Sequence, residues 1–206
     1  MSAENTTVLI MAAGTGGHVF PALSIAQKLQ EQNVRTEWMG THQGMENRLL
    51  DGTGIKIHAV SAKGLKGKGI VRLIAAPFML LQALVQSLRI LARVKPDCVL
   101  GMGGFVSGPG GVATKLAIHE QNAVPGFTNK LLARFANQVF EAFPNTFPRA
   151  EKVVHTGNPL RKEIAVLAQQ ARSISATGAP LKILVLGGSQ GALAINQIVP
   201  ELLSDW

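Results

Sequence analysis

The segment Thr7-Val8-Leu9-Ile10-Met11, followed by Ala13-Gly14-Thr15-Gly16-Gly17-His18 and an amphipathic run, constrains this chain more than any other feature. A short, nearly continuous apolar stretch ending in a glycine loop suits a strand buried on both faces of a parallel sheet. Val19, Ala22, Leu23, Ala26 and Leu29 recur at helical spacing up to Gln32, which predicts a helix packing back on that strand. Arg35 to Met39 reads as the next strand. A β-loop-α-β opening commits the chain to an α/β sheet with right-handed crossovers.

The alternation continues. A helix is expected over 45–50, a strand over 56–60, and a long helix over 70–94, broken or kinked near Pro77. Strands follow at 98–100, 116–119, 138–140 and 152–155, with helices at 107–114 and 126–136. The helix ending near Lys115 abuts the strand at Leu116 without the roughly 2–6 residues such a connection takes. Either that helix is very short or residues are missing there. After the turn cluster Thr156-Gly157-Asn158-Pro159 a helix is expected over 160–171, then a loose stretch. The opening pattern then returns: a strand at 182–186, a loop Gly187-Gly188-Ser189-Gln190-Gly191 and a helix over 192–203. The reading is therefore a complete Rossmann-like domain over 1–158 and, over 159–206, the first β-loop-α unit of a second. A doubly wound domain needs about 100 residues or more, so the second is truncated.

Composition narrows the setting. The net charge of +8 arises in one interval, between Asp51 and Asp97, which holds eight Lys or Arg and no acid. A patch of this kind attracts an anionic partner, nucleic acid or a membrane face. The interval has no tyrosine and only Phe78 as an aromatic, unlike a surface that stacks bases. The lone cysteine, Cys98, excludes a disulfide framework, no Cys/His pair has zinc spacing, and the reading is an inert strand residue. Met1 to Asn5 lacks a signal-peptide pattern, and a cytoplasmic setting is expected.

Three glycine loops follow strands. The first, Gly14 to His18, lacks the dinucleotide spacing and the Gly-Lys-Ser/Thr of a P-loop, yet suits anion binding by backbone amides at a helix N-terminus. The second, Gly101-Met102-Gly103-Gly104-Phe105-Val106-Ser107-Gly108-Pro109-Gly110-Gly111, has six glycines in eleven residues, enough for a diphosphate cradle. The third is Gly187 to Gly191. Each sits at a strand's carboxyl end, where open α/β sheets bind ligands. His18 reads either as a capping or packing residue or as a general base kept neutral by its helix N-terminus. His119-Glu120-Gln121-Asn122 reads either as a plain loop or as a polar set for sugar hydroxyls, with Glu120 a weaker candidate for proton or charge work. The apolar tract Leu73-Ile74-Ala75-Ala76-Pro77-Phe78, flanked by basic residues, suits either a buried helix or one lying on an anionic membrane.

Together these motifs, with Gly64-Leu65-Lys66-Gly67-Lys68-Gly69, Val19-Phe20-Pro21 and Gly157-Asn158-Pro159-Leu160-Arg161, resemble the MurG family of bacterial peptidoglycan glycosyltransferases over essentially the whole chain. The resemblance implies a GT-B fold, two Rossmann-like domains facing a cleft. It implies inverting transfer of N-acetylglucosamine from UDP-GlcNAc to the muramyl C4 hydroxyl of lipid I, giving lipid II, with no cofactor and no metal. It implies donor contacts at Thr15, Gly16, Gly17, Asn122, Arg161 and Ser189, with Gln190 and Gly191 in the donor loop. The acceptor diphosphate would lie at Gly14, Gly103, Gly104 and Ser107, and His18 would be the base. Leu73, Ile74 and Phe78 would face the anionic inner membrane, placing the protein peripherally on its cytoplasmic side with no nucleic-acid partner. The family continues past the third glycine loop with further donor contacts, so this chain by itself is expected not to transfer sugar. The alternatives are a GT-B transferase with another acceptor, or a non-enzymatic anion- or membrane-binding module.

Overall fold

The computed structural model describes residues 6–61, 70–104, 106–108, 115–169, 183–187 and 192–204, with the backbone alone at 70–77, 80, 168 and 169. The elements are β1 (Thr7–Met11), α1 (Gly16–Glu31), β2 (Arg35–Thr41), α2 (Met45–Leu49), β3 (Lys56–Val60), α3 (Ile70–Val94), β4 (Cys98–Gly101), β5 (Leu116–Glu120), α4 (Phe127–Leu132), β6 (Gln138–Glu141), β7 (Val153–His155), α5 (Lys162–Gln169) and α6 (Leu193–Ser204). They divide into two compact units, Met1–Ala165 and Val166–Trp206.

In the first unit seven parallel strands pair in the order β3-β2-β1-β4-β5-β6-β7. The chain winds outward from β1 to β3, returns through α3, and winds outward again from β4. Strand order thus reverses between β1 and β4, the position where doubly wound sheets open a ligand crevice. Two buried clusters line the two faces. Leu9, Met11, Met39, Val99 and Ile118 share one with Leu132 and Ala136, and the α3 residues Ile90 and Leu91 pack against it. Ile10, Trp38 and Leu100 share the other with Val19, Ala22 and Ala26 of α1. Inner strands covered on both sides leave no room for polar alternation, which is why β1 reads as a continuous apolar run.

The ends of the helices have local causes. α1 stops where Asn33 adopts φ 59° and the Val34 amide bonds back to Leu29 O at 3.0 Å, a left-handed cap. α3 stops at Lys95, with φ 50°, before Pro96. α3 runs unbroken through Pro77. The proline forfeits one backbone hydrogen bond, and the turns on either side carry the helix on. The helix expected over 126–136 ends early, at Leu132. Lys152 Nζ donates to the carbonyls of Ala133 (2.7 Å) and Ala136 (3.2 Å), and the Asn137 amide bonds to Leu116 O, which turns the chain into β6. Of the helix expected over 107–114, residues 106–108 form a single 3-10 turn and residues 109–114 lie outside the described residues.

α3 is apolar on two sides. Ala83 and Ser87 are buried inward, while Phe78 (72% exposed) and Leu81 (58%) face out, with Val85 and Leu88 less so. Among the described residues no helix is long and apolar enough to cross a membrane. In the second unit α6 forms as expected, and Leu193, Ile198, Leu202 and Leu203 on it are exposed. The strand expected over 182–186 has no pairing at residues 183–187. A parallel strand exists only through hydrogen bonds to a neighbour, and none is described in that unit. Cys98 opens β4 half-buried, and burial pushes its thiol up, so it stays protonated and unreactive.

At the outer strands β2 and β3, Glu37 is buried beneath this layer. Its carboxylate accepts from His58 Nε2 and from Arg35, each at 2.5 Å. Burial alone would raise its pKa, but the hydrogen bonds from His58 and Arg35 outweigh it and hold the carboxyl below its ordinary range. Its stabilisation is therefore complete above the unfolded-state pKa, near 4.3, and is lost as pH falls through the folded value. Urea unfolding at pH 7 should show Glu37→Gln less stable by about 1–3 kcal/mol. The gap from the unsubstituted chain should close as the pH approaches 3, and an equal gap at both pH values would show that ionisation is not its source.

Candidate active site

The site assembles at the β1/β4 switch. β1 and β4 are registered from Val8↔Cys98 to Met11↔Gly101, so the glycine loops that follow them leave the sheet side by side. Backbone bonds extend the sheet here: the Met102 amide donates to Met11 O of β1 at 3.0 Å and the Ala12 amide to Met39 O of β2 at 3.2 Å. Trp38, fully buried, donates its indole N–H to Ala12 O at 2.9 Å and anchors the root of the first loop.

Ser107, expected at the acceptor diphosphate, is wholly buried. Its hydroxyl lies 2.9 Å from Met11 O and 2.8 Å from Gly103 O, so it ties the second loop to the end of β1 and presents no oxygen to the surface. A short hydroxyl next to two backbone carbonyls is satisfied locally.

The first loop turns at Gly14, whose φ of 96° and open surroundings suit glycine. Thr15 caps α1 with extended backbone but no side-chain bond to the helix's leading amides, and the first turn of the helix holds no acid. The leading amides, at Gly16 and Gly17, therefore keep their partial positive charge for an anion. The second loop turns at Gly103 (φ 90°) and Gly104 (φ 75°). A Cβ on Gly103 would lie 3.2 Å from His18 Nε2 and 3.2 Å from Asn129 Nδ2, so the imidazole rests directly on this loop. His18 thus stands between both loops, its Nδ1 3.5 Å from Thr15 Oγ1. Burial lowers its pKa, and the charge of Glu120 pulls the other way. The ring is neutral at pH 7 and able to accept a proton.

The segment 119–122 is also brought here, at the end of β5. Glu120 is 1% exposed. One carboxylate oxygen accepts from the Asn122 amide (3.1 Å) and Asn122 Nδ2 (2.9 Å), the other from the Gly126 amide (3.0 Å) and Asn129 Nδ2 (2.9 Å). Four donors hold it as the organiser of the 120–129 loop. Asn122 itself is exposed. His119 accepts at Nδ1 from Gln121 Nε2 (3.1 Å) and so donates from Nε2 to Gly157 O (3.1 Å). Asn158 Nδ2 donates to Gln121 O at 3.1 Å. These bonds fasten the turn at 156–158 to the end of β5, and Arg161 follows it, exposed, with its guanidinium 5.1 Å from the Phe20 ring centroid.

Two participants escape a reading of the sequence. Asn129 lies buried under the second loop with its Oδ1 lacking a hydrogen bond among the described residues. The only hint is one polar residue on the apolar face of the helix around it. Phe20 looks like an ordinary core position of α1. Gly188, Ser189, Gln190 and Gly191 lie outside the described residues, as do the side chains of Leu73 and Ile74. In the 206-residue chain Gly103→Ala should lower the melting temperature by about 2–8 °C, from roughly 1–2 kcal/mol of left-handed strain. The His18 ring resonances should shift with it. An unchanged His18 environment would contradict the contact between the loops.

Residues 8–141 match the family model for the glycosyltransferase family 28 N-terminal domain. The chain is 50% identical over 204 residues to the UDP-N-acetylglucosamine--N-acetylmuramyl-(pentapeptide) pyrophosphoryl-undecaprenol N-acetylglucosamine transferase of Acinetobacter baumannii strain AYE, with 95% of this chain and 56% of the relative covered. It superposes on the crystal structure of Acinetobacter baumannii MurG with a TM-score of 0.75 at 46% identity, covering 98% of this chain and 58% of that one. A UDP-GlcNAc 2-epimerase from Neisseria meningitidis, with a TM-score of 0.56 and 17% identity over 74% of this chain and 46% of its own, shares the fold alone. The chain spans about 56% of the length of the curated relatives it matches. With the family model covering well over half of the sequence, this chain belongs to glycosyltransferase family 28.

Proposed function

We propose that this chain is the acceptor-side portion of an inverting transferase that moves N-acetylglucosamine from UDP-GlcNAc to the muramyl C4 hydroxyl of lipid I, forming lipid II for peptidoglycan. The observation that carries the proposal is the packing of His18 between two glycine loops at the sheet's switch point. An anion cradle and a neutral base lie within one side chain's reach of each other. This suits an acceptor that carries a diphosphate beside its reacting hydroxyl.

In this reading Gly14, Gly103 and Gly104 hold the acceptor diphosphate through backbone amides, braced by Ser107. His18 takes the proton of the C4 hydroxyl as that oxygen attacks the anomeric carbon of the donor. The bond from the anomeric carbon to the UDP oxygen breaks, the anomeric centre inverts, and UDP leaves with the electron pair. The nearby charge of Glu120 favours the imidazolium that forms, so Glu120 acts electrostatically and by holding Asn122 rather than as a base. Thr15, Gly16, Gly17, Asn122, Arg161 and Ser189 contact the donor, with Gln190 and Gly191 in its loop. Residues 1–158 form the acceptor domain and 159–206 the start of the donor domain. The outward Phe78 and Leu81 of α3 support a peripheral position on the cytoplasmic face of an anionic membrane, with Leu73 and Ile74 as further anchors.

The test is lipid II synthesis by the protein at its full natural length; the 206-residue chain alone should be inactive. His18→Ala should lower kcat about 10²–10⁴-fold with the KM for UDP-GlcNAc little changed. Because burial depresses the His18 pKa, activity should fall on the acid side only as pH drops below the ordinary histidine range near 6.5. That limb should vanish in His18→Ala. Retained activity, or an unmoved acid limb, would remove His18 from the base role.

A further inference from the structure

We propose that Phe20 is a positioning residue for Arg161, holding its guanidinium at the mouth of the first glycine loop; this rests on the donor-binding reading of Arg161. Phe20 lies one turn into α1 from Gly16, and its ring touches both neighbours. A Cβ on Gly16 would meet Phe20 Cε2 at 3.0 Å, so the ring is wedged against the anion loop. The guanidinium of Arg161 lies over the same ring, 5.1 Å from its centroid and within cation–π range.

The placement matters because, among the described residues, little else fixes Arg161. Its side chain is exposed, and it lies between the 156–158 turn and the start of α5. A cleft of about 720 Å³ is lined both by α1, at Ser24, Gln27 and Lys28, and by Pro159, Leu160 and Lys162. The ion pair across it, Lys162 Nζ to Glu31 at 4.0 Å, is long and exposed, and a pair of that kind restrains little. Among the described residues the aromatic face is therefore the contact that favours one Arg161 rotamer. A long cation otherwise has rotamer entropy to lose when it engages an anion. Phe20 removes part of that loss before the donor arrives. The same ring contacts the loop whose amides await an anion, so loop and guanidinium are set as one unit. The ring itself touches no substrate and takes part in no bond change.

The experiment is a double-mutant cycle in the protein at its full natural length, reading kcat, the KM for UDP-GlcNAc and the melting temperature. Phe20→Ala should raise that KM about three- to tenfold with kcat within about twofold, the range a cation–π contact spans. Phe20→Tyr, which keeps the ring, should restore it. Phe20→Leu keeps the bulk without the π face; it should melt close to the unsubstituted protein yet show the raised KM. Combined with Arg161→Ala, Phe20→Ala should add nothing to the effect of Arg161→Ala alone. The proposal falls if Phe20→Leu has an ordinary KM, or if the two effects multiply, while the donor reading survives. If Arg161→Ala leaves the KM unchanged, the donor reading of Arg161 fails and the proposal with it.

Discussion

Everything proposed for this chain depends on β1 lying next to β4. The two strands are about 90 residues apart in sequence yet in register from Val8↔Cys98 to Met11↔Gly101. That pairing places two glycine loops at adjacent strand ends, about one strand spacing of ~4.8 Å apart. Ser107 reinforces it by bringing its hydroxyl to a carbonyl from each side, Met11 and Gly103. His18 can then rest on a loop that follows a different strand. A sheet with β1 and β4 separated would hold the same residues and lack the site.

A second theme is the use of buried carboxylates to hold loops at the strand ends. Glu46 accepts the Thr41 amide at 2.7 Å and its hydroxyl at 2.8 Å. Glu120 accepts the amides of Asn122 and Gly126, and Glu141 those of Asn145 and Phe147, both at 3.0 Å. Each gathers donors that irregular backbone would otherwise leave unpaired. The packing around Glu46 is tight enough that a Cβ on Gly44 would stand 2.0 Å from its Oε2, so a side chain there would displace the carboxylate. A rigid loop lowers the entropy lost when a ligand binds, which suits a site built largely from backbone amides.

The parallel sheet and its loops were legible because buried strands and amphipathic helices carry strong periodic signals. β1, β3 and the start of α3 fall where the apolar runs end, and the glycine loops fall at the carboxyl ends of β1 and β4. What stayed hidden is set by long-range contacts. Nothing local to Ser107 says that its hydroxyl turns inward to Met11, 96 positions away in sequence. Nothing local to Glu120 distinguishes a catalytic acid from a carboxylate surrounded by four donors. The early end of α4 depends on Lys152, 19 positions from the Ala133 carbonyl it meets. The apolar run at 183–187 carries the strand signal, but no neighbour that would make it a strand is among the described residues.

The central claim is that an anion binds to backbone amides at the switch point and not merely to the basic surface between residues 56 and 95. Amide chemical-shift mapping of the 206-residue chain titrated with geranyl diphosphate, a short polyprenyl diphosphate, tests it most directly. The account predicts saturable shifts centred on Gly14, Gly16, Gly17, Gly103 and Gly104, accompanied by the His18 ring and persisting at moderate salt. Shifts confined to Lys56, Arg89, Arg93 and Lys95 and abolished by salt, with both glycine loops silent, would contradict it.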